Sequence, residues 1–173
     1  MKAHSGPWTI RYGFGTTPVG PALAALSGQG ICSLRLIDGN HRRAVEELQE
    51  RYPRAILTPD DAAAARVFRA VAAYLDGKLE NLQLDLEGTP FQKKVWEALR
   101  RIPHGQTRSY QDIARQVGKP RAARAVGAAC GANRIGILVP CHRVLASDGS
   151  LGGYGWGLQV KQALLDLEQS GRA

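Results

Sequence analysis

Ser109-Tyr110-Gln111-Asp112-Ile113-Ala114-Arg115-Gln116-Val117-Gly118-Lys119-Pro120-Arg121-Ala122-Ala123-Arg124-Ala125-Val126-Gly127-Ala128-Ala129-Cys130 holds two short helical patterns on either side of a Gly-Lys-Pro turn. Ser109 can cap a helix running to Val117, and a second helix is expected from about Arg121 to Cys130. Two helices across a tight glycine turn form a helix-turn-helix unit. The second is thin, because Ala122, Ala123, Ala125, Gly127, Ala128 and Ala129 leave little bulk beside Arg121, Arg124 and Val126. Part of such a helix packs closely in a core. The rest, flanked by arginines, can press into a groove too narrow for large side chains.

Upstream, Gly88-Thr89-Pro90 is the best domain boundary, since Thr89 can cap a helix that opens with Pro90 and runs to about Arg101. Before it, the apolar runs Trp8–Phe14, Ala22–Leu26 and Ile31–Ile37 are broken by Gly and Pro and predict the strands of a meander. His41–Arg51 and Asp60–Asp76 show helical periodicity, and Gln83–Leu86 fits one more short strand. The expected fold class is α+β. A small α/β domain with a short antiparallel sheet occupies 1–87, and a mainly helical domain carrying the helix-turn-helix occupies 88–173.

The formal net charge of +8 is unevenly placed. Residues 1–88 carry ten basic and ten acidic side chains, whereas residues 89–173 carry thirteen and five. Between Arg100 and Arg143, nine basic residues stand against the single acid Asp112. A charge run alone is commonly a solvated face; this segregation around a helix-turn-helix favours a polyanionic partner. No apolar run approaches the roughly 18 residues of a membrane span, and Met1–Trp8 lacks the apolar segment of a secretory signal. Three widely spaced cysteines make no disulfide framework, so a reducing cytoplasm is the expected compartment.

The densest chemical cluster lies C-terminal to the helix pair, from Asn133 to Gly157. Cys32 and Cys130 read as small buried hydrophobes. Cys141 differs, because it follows an apolar run and Pro140 and is followed directly by His142 and Arg143. An adjacent imidazole can take the thiol proton, and the thiolate is the reactive form. Metal binding fits less well, since no second Cys or His stands at ligand spacing.

Pro140-Cys141-His142-Arg143-Val144 resembles the active-site signature of the O6-alkylguanine-DNA alkyltransferases. The resemblance extends through Gly88-Thr89-Pro90-Phe91-Gln92, Val95-Trp96, Ile102-Pro103, Ser109-Tyr110, Arg124-Ala125-Val126-Gly127, Asn133 and Gly152-Gly153-Tyr154 to Lys161, Leu164-Leu165 and Glu168. It covers residues 88–168 closely, and the first half only in layout, as that family's RNase H-like α/β domain.

The resemblance implies direct repair of DNA by a single, irreversible transfer of an alkyl group, chiefly methyl, from O6-alkylguanine to Cys141. O4-alkylthymine stays open as a second lesion. It further implies binding through the minor groove by the helix-turn-helix, with the damaged base flipped out. His142 acts through a water as base, Glu168 orients it, Asn133 ties the second helix to the active-site loop, and Tyr110 crowds the phosphate and donates to guanine. Val139, Tyr154, Gly155 and Trp156 are expected around the guanine, and Arg124 in the stack it leaves. Ala122, Ala123, Ala125, Gly127, Arg121, Arg108 and Arg143 are expected on the DNA. The implied partner is double-stranded DNA carrying O6-alkylguanine, bound by a monomer, with cooperative assembly left open. No cofactor, metal or membrane is implied.

Two departures stand out: Arg134 where many members have Pro, and Trp156 where some have Gly. Trp156 would narrow the alkyl pocket if its indole faced inward. Rival functions are a helix-turn-helix regulator or silent damage sensor, which would not need Cys141, and a cysteine hydrolase, which leaves Arg124 and the basic region unexplained.

Overall fold

The computed structural model describes residues 8–78 and 82–170. The chain divides into two compact units, Met1–Ala72 with Asn81–Asp85, and Ala73–Glu80 with Leu86–Ala173.

In the first unit, β1 (Trp8–Thr17), β2 (Gly20–Ser27) and β3 (Gly30–Leu36) form the expected antiparallel meander. After α1 (His41–Arg51) the chain adds β4 (Ala55–Pro59), which pairs parallel to β1, giving the order β3-β2-β1-β4. The sheet is therefore mixed, not purely antiparallel. β4 escapes a reading of the sequence because it is five residues long, does not alternate and ends in proline, which only an edge strand tolerates well. Segment 83–86 contributes a single bridge, Ile31 to Leu84, not a strand.

Helices pack on both faces of this sheet. Ile10, Leu23, Ala25 and Cys32 form one core with Ala44, Leu48 and Tyr52 of α1 and its end. On the other face α2 (Asp61–Leu75) approaches so closely that a Cβ at Gly13 would lie 2.6 Å from Ala64 Cβ. A strand buried on both faces reads as a continuous apolar run, which is the pattern of Ala22–Leu26.

The second unit opens with α3 (Pro90–Arg100). Thr89 and Gln92 close a capping box around its first turn, and Val95, Trp96, Ala98 and Leu99 face inward. The short strand β5 (Arg108–Ser109) leads into α4 (Tyr110–Gln116), which Ser109 and Asp112 cap reciprocally. Gly118 turns the chain at φ 74°, a conformation glycine adopts without steric cost. α5 (Ala123–Gly131) starts two residues later than expected, since its N-cap Ala122 offers no side chain to the free amides. Trp96 Nε1 donates to Ala129 O at 2.8 Å and fixes α3 against α5.

A one-turn 3-10 helix, Cys141–Arg143, then leads into β6 (Val144–Leu145), which lies parallel to β5. The chain continues to α6 (Leu158–Ser170). The inward positions of α6 are Lys161, Leu164, Leu165 and Glu168. Their spacing is helical, but two of the four are charged, so an apolar stripe is hard to see in the sequence. No described helix is long and apolar enough to cross a membrane.

Candidate active site

The loop from α5 to Cys141 is held by one side chain. Asn133 Nδ2 donates to Val139 O at 2.9 Å and lies 3.3 Å from Cys141 Sγ, while Asn133 Oδ1 accepts from Ile135 N at 3.0 Å. Within this loop Ile137 sits at φ 67°, a left-handed conformation costly for a β-branched residue. The strain is sustained because Ile135, Ile137, Leu138 and Val139 are all buried.

Cys141 is 9% exposed and lines a cavity of about 550 Å³. Helix α5 supplies one wall through Ala123, Arg124, Gly127 and Cys130; Tyr110 and the segment Gly153–Gly155 supply others. Tyr110 Oη reaches Gly153 O at 3.4 Å. Burial raises the phenols of Tyr110 and Tyr154, so both stay protonated.

Behind the cysteine, His142 and Glu168 have no exposure, and His142 Nε2 lies 2.8 Å from Glu168 Oε1. Glu168 also accepts from Gly105 N at 3.0 Å and from the Arg143 guanidinium at 2.8–3.1 Å. Burial opposes the charge on Glu168, yet the bonds from His142 and Arg143 outweigh it and hold the carboxyl at about 2. A carboxylate only accepts, so Nε2 of His142 carries the ring proton. Burial, as the largest cause, pushes His142 below its ordinary 6.5, which leaves Nδ1 an unprotonated acceptor with no protein partner.

Burial likewise raises the Cys141 thiol, although Asn133 and the charge of Lys161 pull it down. At rest it is a thiol that needs a base. Cys130, without the Asn133 hydrogen bond, is pushed up to about 12, by burial first and then by Cys141, with Lys161 opposing. Lys161 is fully buried, donates to Val144 O at 2.5 Å and to Leu151 O, and is lowered by burial.

Most expected site residues meet here, and three do not. Arg143 was expected on DNA; instead it is 2% exposed, paired with Glu168, and bonded to Ile102 O at 2.7 Å, so it cannot reach a phosphate. Val139 is buried behind the loop and its carbonyl already accepts from Asn133 and Cys141, so it does not line the cavity. Trp156 is absent from the lining as well. Its indole covers Gly136, where a Cβ would lie 1.9 Å from Cη2, and meets Tyr154 edge to face at 5.7 Å.

Arg124 and Ala125 are exposed on α5 and Arg121 in the turn just before it, with Ala122 and Ala123 half-buried, and Arg108 is exposed beside α4. Five wall residues carry no site assignment from the sequence: Cys130 and Gly131, which the helical phase from Arg124 and Gly127 places on their face, Gly153 beside Tyr154, and Ala146 and Ser147, for which no signal existed.

Because Trp156 lies outside the cavity, Trp156→Gly should change the ratio of benzyl to methyl transfer by less than about tenfold. It should nevertheless lower stability by about 1 kcal/mol or more through loss of the ring pair with Tyr154. Rates for a benzyl- and a methyl-substituted guanine, with a thermal melt, check both.

The chain matches two family models, the ribonuclease-like domain of 6-O-methylguanine DNA methyltransferase over residues 10–87 and its DNA binding domain over residues 90–170. The methylated-DNA–protein-cysteine methyltransferase of Mycobacterium bovis is 44% identical over 163 residues, covering 93% of this chain and 93% of that protein. The chain belongs to the 6-O-methylguanine DNA methyltransferase family. The bifunctional transcriptional activator/DNA repair enzyme Ada of Escherichia coli is 44% identical over 161 residues; these are 92% of this chain and 45% of that protein, so the chain spans less than half of it. A crystal structure of Mycobacterium tuberculosis OGT in complex with DNA superposes with a TM-score of 0.77 at 43% identity, covering 93% of this chain and 94% of that one. As a member of this family of methyltransferases, the chain repairs DNA directly, by moving an alkyl group from the damaged nucleic acid to one of its own cysteines.

Proposed function

We propose that Cys141 is the acceptor, and that it takes the alkyl group of an O6-alkylguanine turned out of duplex DNA into the 550 Å³ cavity. The observation that carries this reading is the pairing of Cys141, on the cavity wall, with a buried neutral histidine next to it in sequence. Guanine O6 is enclosed in the base stack, so in-line attack on its alkyl carbon requires extrusion. His142 Nδ1 takes the thiol proton through a water, the thiolate sulfur bonds to the alkyl carbon, and the carbon–O6 bond breaks. Tyr110, kept a phenol, donates a hydrogen bond to the departing guanine. Glu168 stabilises the imidazolium that forms.

Residues 88–173 form the DNA-binding and catalytic domain in this reading, and 1–87 its N-terminal partner. The thin face of α5 enters the minor groove, Arg124 fills the gap left by the base, and Arg121 and Arg108 meet phosphates. The chain works as a monomer in the reducing cytoplasm, where its free cysteines persist.

Excess DNA containing O6-methylguanine should yield a plateau of about one product per active chain, since a thioether has no route back to thiol here. Binding should weaken steeply with salt and depend little on sequence. Product that keeps accumulating past the plateau would contradict the transfer and favour a hydrolase.

A further inference from the structure

Arg143 stands next to the relay histidine in sequence but grips the relay carboxylate in space. Its Nε donates to both oxygens of Glu168, at 3.1 and 2.9 Å, and its Nη2 donates to Oε1 at 2.8 Å. Nη1 is taken by Ile102 O at 2.7 Å, and the guanidinium lies 5.0 Å from the centre of the Tyr74 ring. A fork held this completely has one purpose left, which is its charge.

A charge count makes that purpose concrete. Glu168 is negative, Arg143 positive and His142 neutral, so the buried trio carries no net charge. Without the guanidinium, a buried carboxylate 2.8 Å from His142 Nε2 would be unbalanced. Moving a proton from water onto the imidazole restores neutrality at far lower cost than an isolated buried anion. An imidazolium, however, carries protons on both nitrogens and cannot accept one from a thiol.

We infer that Arg143 is a positioning residue for the transfer: by balancing Glu168 it keeps His142 a neutral base with the lone pair of Nδ1 free. The inference rests on the assignment of Cys141 and His142 made above. The groups facing His142 are few. Glu168 and Lys161 come from α6, and Cys141 and Arg143 share its own turn. Tyr74, beyond Arg143 and within the field of Arg100, and Tyr154 are phenols that burial keeps neutral. Lys161 also disfavours the imidazolium, but it is bonded to backbone carbonyls and not to Glu168, so it cannot replace the fork.

The test is the pH dependence of the single-turnover transfer rate for the intact protein, Arg143→Gln and Arg143→Lys, with DNA binding as the check on folding. In Arg143→Gln the acid limb should move up by about one pH unit or more, so that the rate below both limbs falls about tenfold or more. Arg143→Lys, which keeps the charge and loses the fork, should keep the limb and lose only part of the plateau rate. An unmoved acid limb in an Arg143→Gln protein that still binds DNA would overturn the inference. If Arg143→Gln does not fold, nitrogen NMR of His142 in the unmodified protein decides: a neutral ring protonated on Nε2 at pH 7 supports the inference, and an imidazolium there overturns it. His142→Gln separates the two levels, since an acid limb that survives it would overturn the relay itself.

Discussion

Glu168→Ala should lower the folding stability of this protein by about 3–5 kcal/mol, because it strands a buried guanidinium without its counter-ion. Arg143 is 2% exposed and places two of its three nitrogens on Glu168, so no solvent can replace the lost partner. The same carboxylate makes stability fall with acid. Its folded value of about 2 lies below its ordinary 4.5, so its contribution is complete above 4.5 and is lost as pH drops towards 2. That interval corresponds to about 3 kcal/mol. His142 acts in the same direction at higher pH, since burial lowers it below 6.5 and the unfolded chain binds the extra proton first. Denaturant titrations of both proteins between pH 7 and 3 measure these effects. A Glu168→Ala loss below about 1 kcal/mol would mean that the Arg143 charge is solvated after all.

Arg124→Ala should slow repair within duplex DNA by roughly tenfold to a hundredfold, while leaving transfer from a free O6-alkylguanine base almost unchanged. The guanidinium is exposed on α5 at the mouth of the Cys141 cavity, where it can occupy the space of an extruded nucleotide. Only the duplex reaction has to bear the few kcal/mol of unstacking, so only that reaction should feel the loss. Rates on duplex and free-base substrates, measured with one preparation, make the comparison. Equal slowing on both would assign Arg124 to the chemistry or to the fold and remove it from base replacement.

What could be read from the sequence depended on whether local signals agreed with tertiary ones. The capping boxes at Thr89 and Ser109 mark the starts of α3 and α4 because a cap is a local device, completed within four residues. β4 was invisible because its pairing with β1 depends on a crossover through α1, not on its own five residues. α6 was masked by Lys161 and Glu168, two charges on a buried stripe that only the active site explains. The site divides in the same way. Cys141, His142 and Glu168 come together as the family resemblance implies, with Asn133 on the thiol side. Arg143 counted as a DNA contact because a basic residue in a basic segment carries no mark of burial, and Trp156 was put in the pocket because two residues of spacing do not determine where an indole packs. Cys130 reads in the sequence as a core thiol, yet it shares the cavity with Cys141, and burial is the main cause that keeps it protonated.

The central claim, that Cys141 is the alkyl acceptor, is tested most directly by peptide mass analysis after the protein has reacted with duplex DNA containing O6-methylguanine. The account predicts a gain of one methylene on the peptide holding Cys141 and none on those holding Cys130 or Cys32. It also predicts an unmodified chain when Cys141→Ala is exposed to the same DNA. A methyl group found on Cys130, or a Cys141→Ala protein that still removes the lesion, would contradict it.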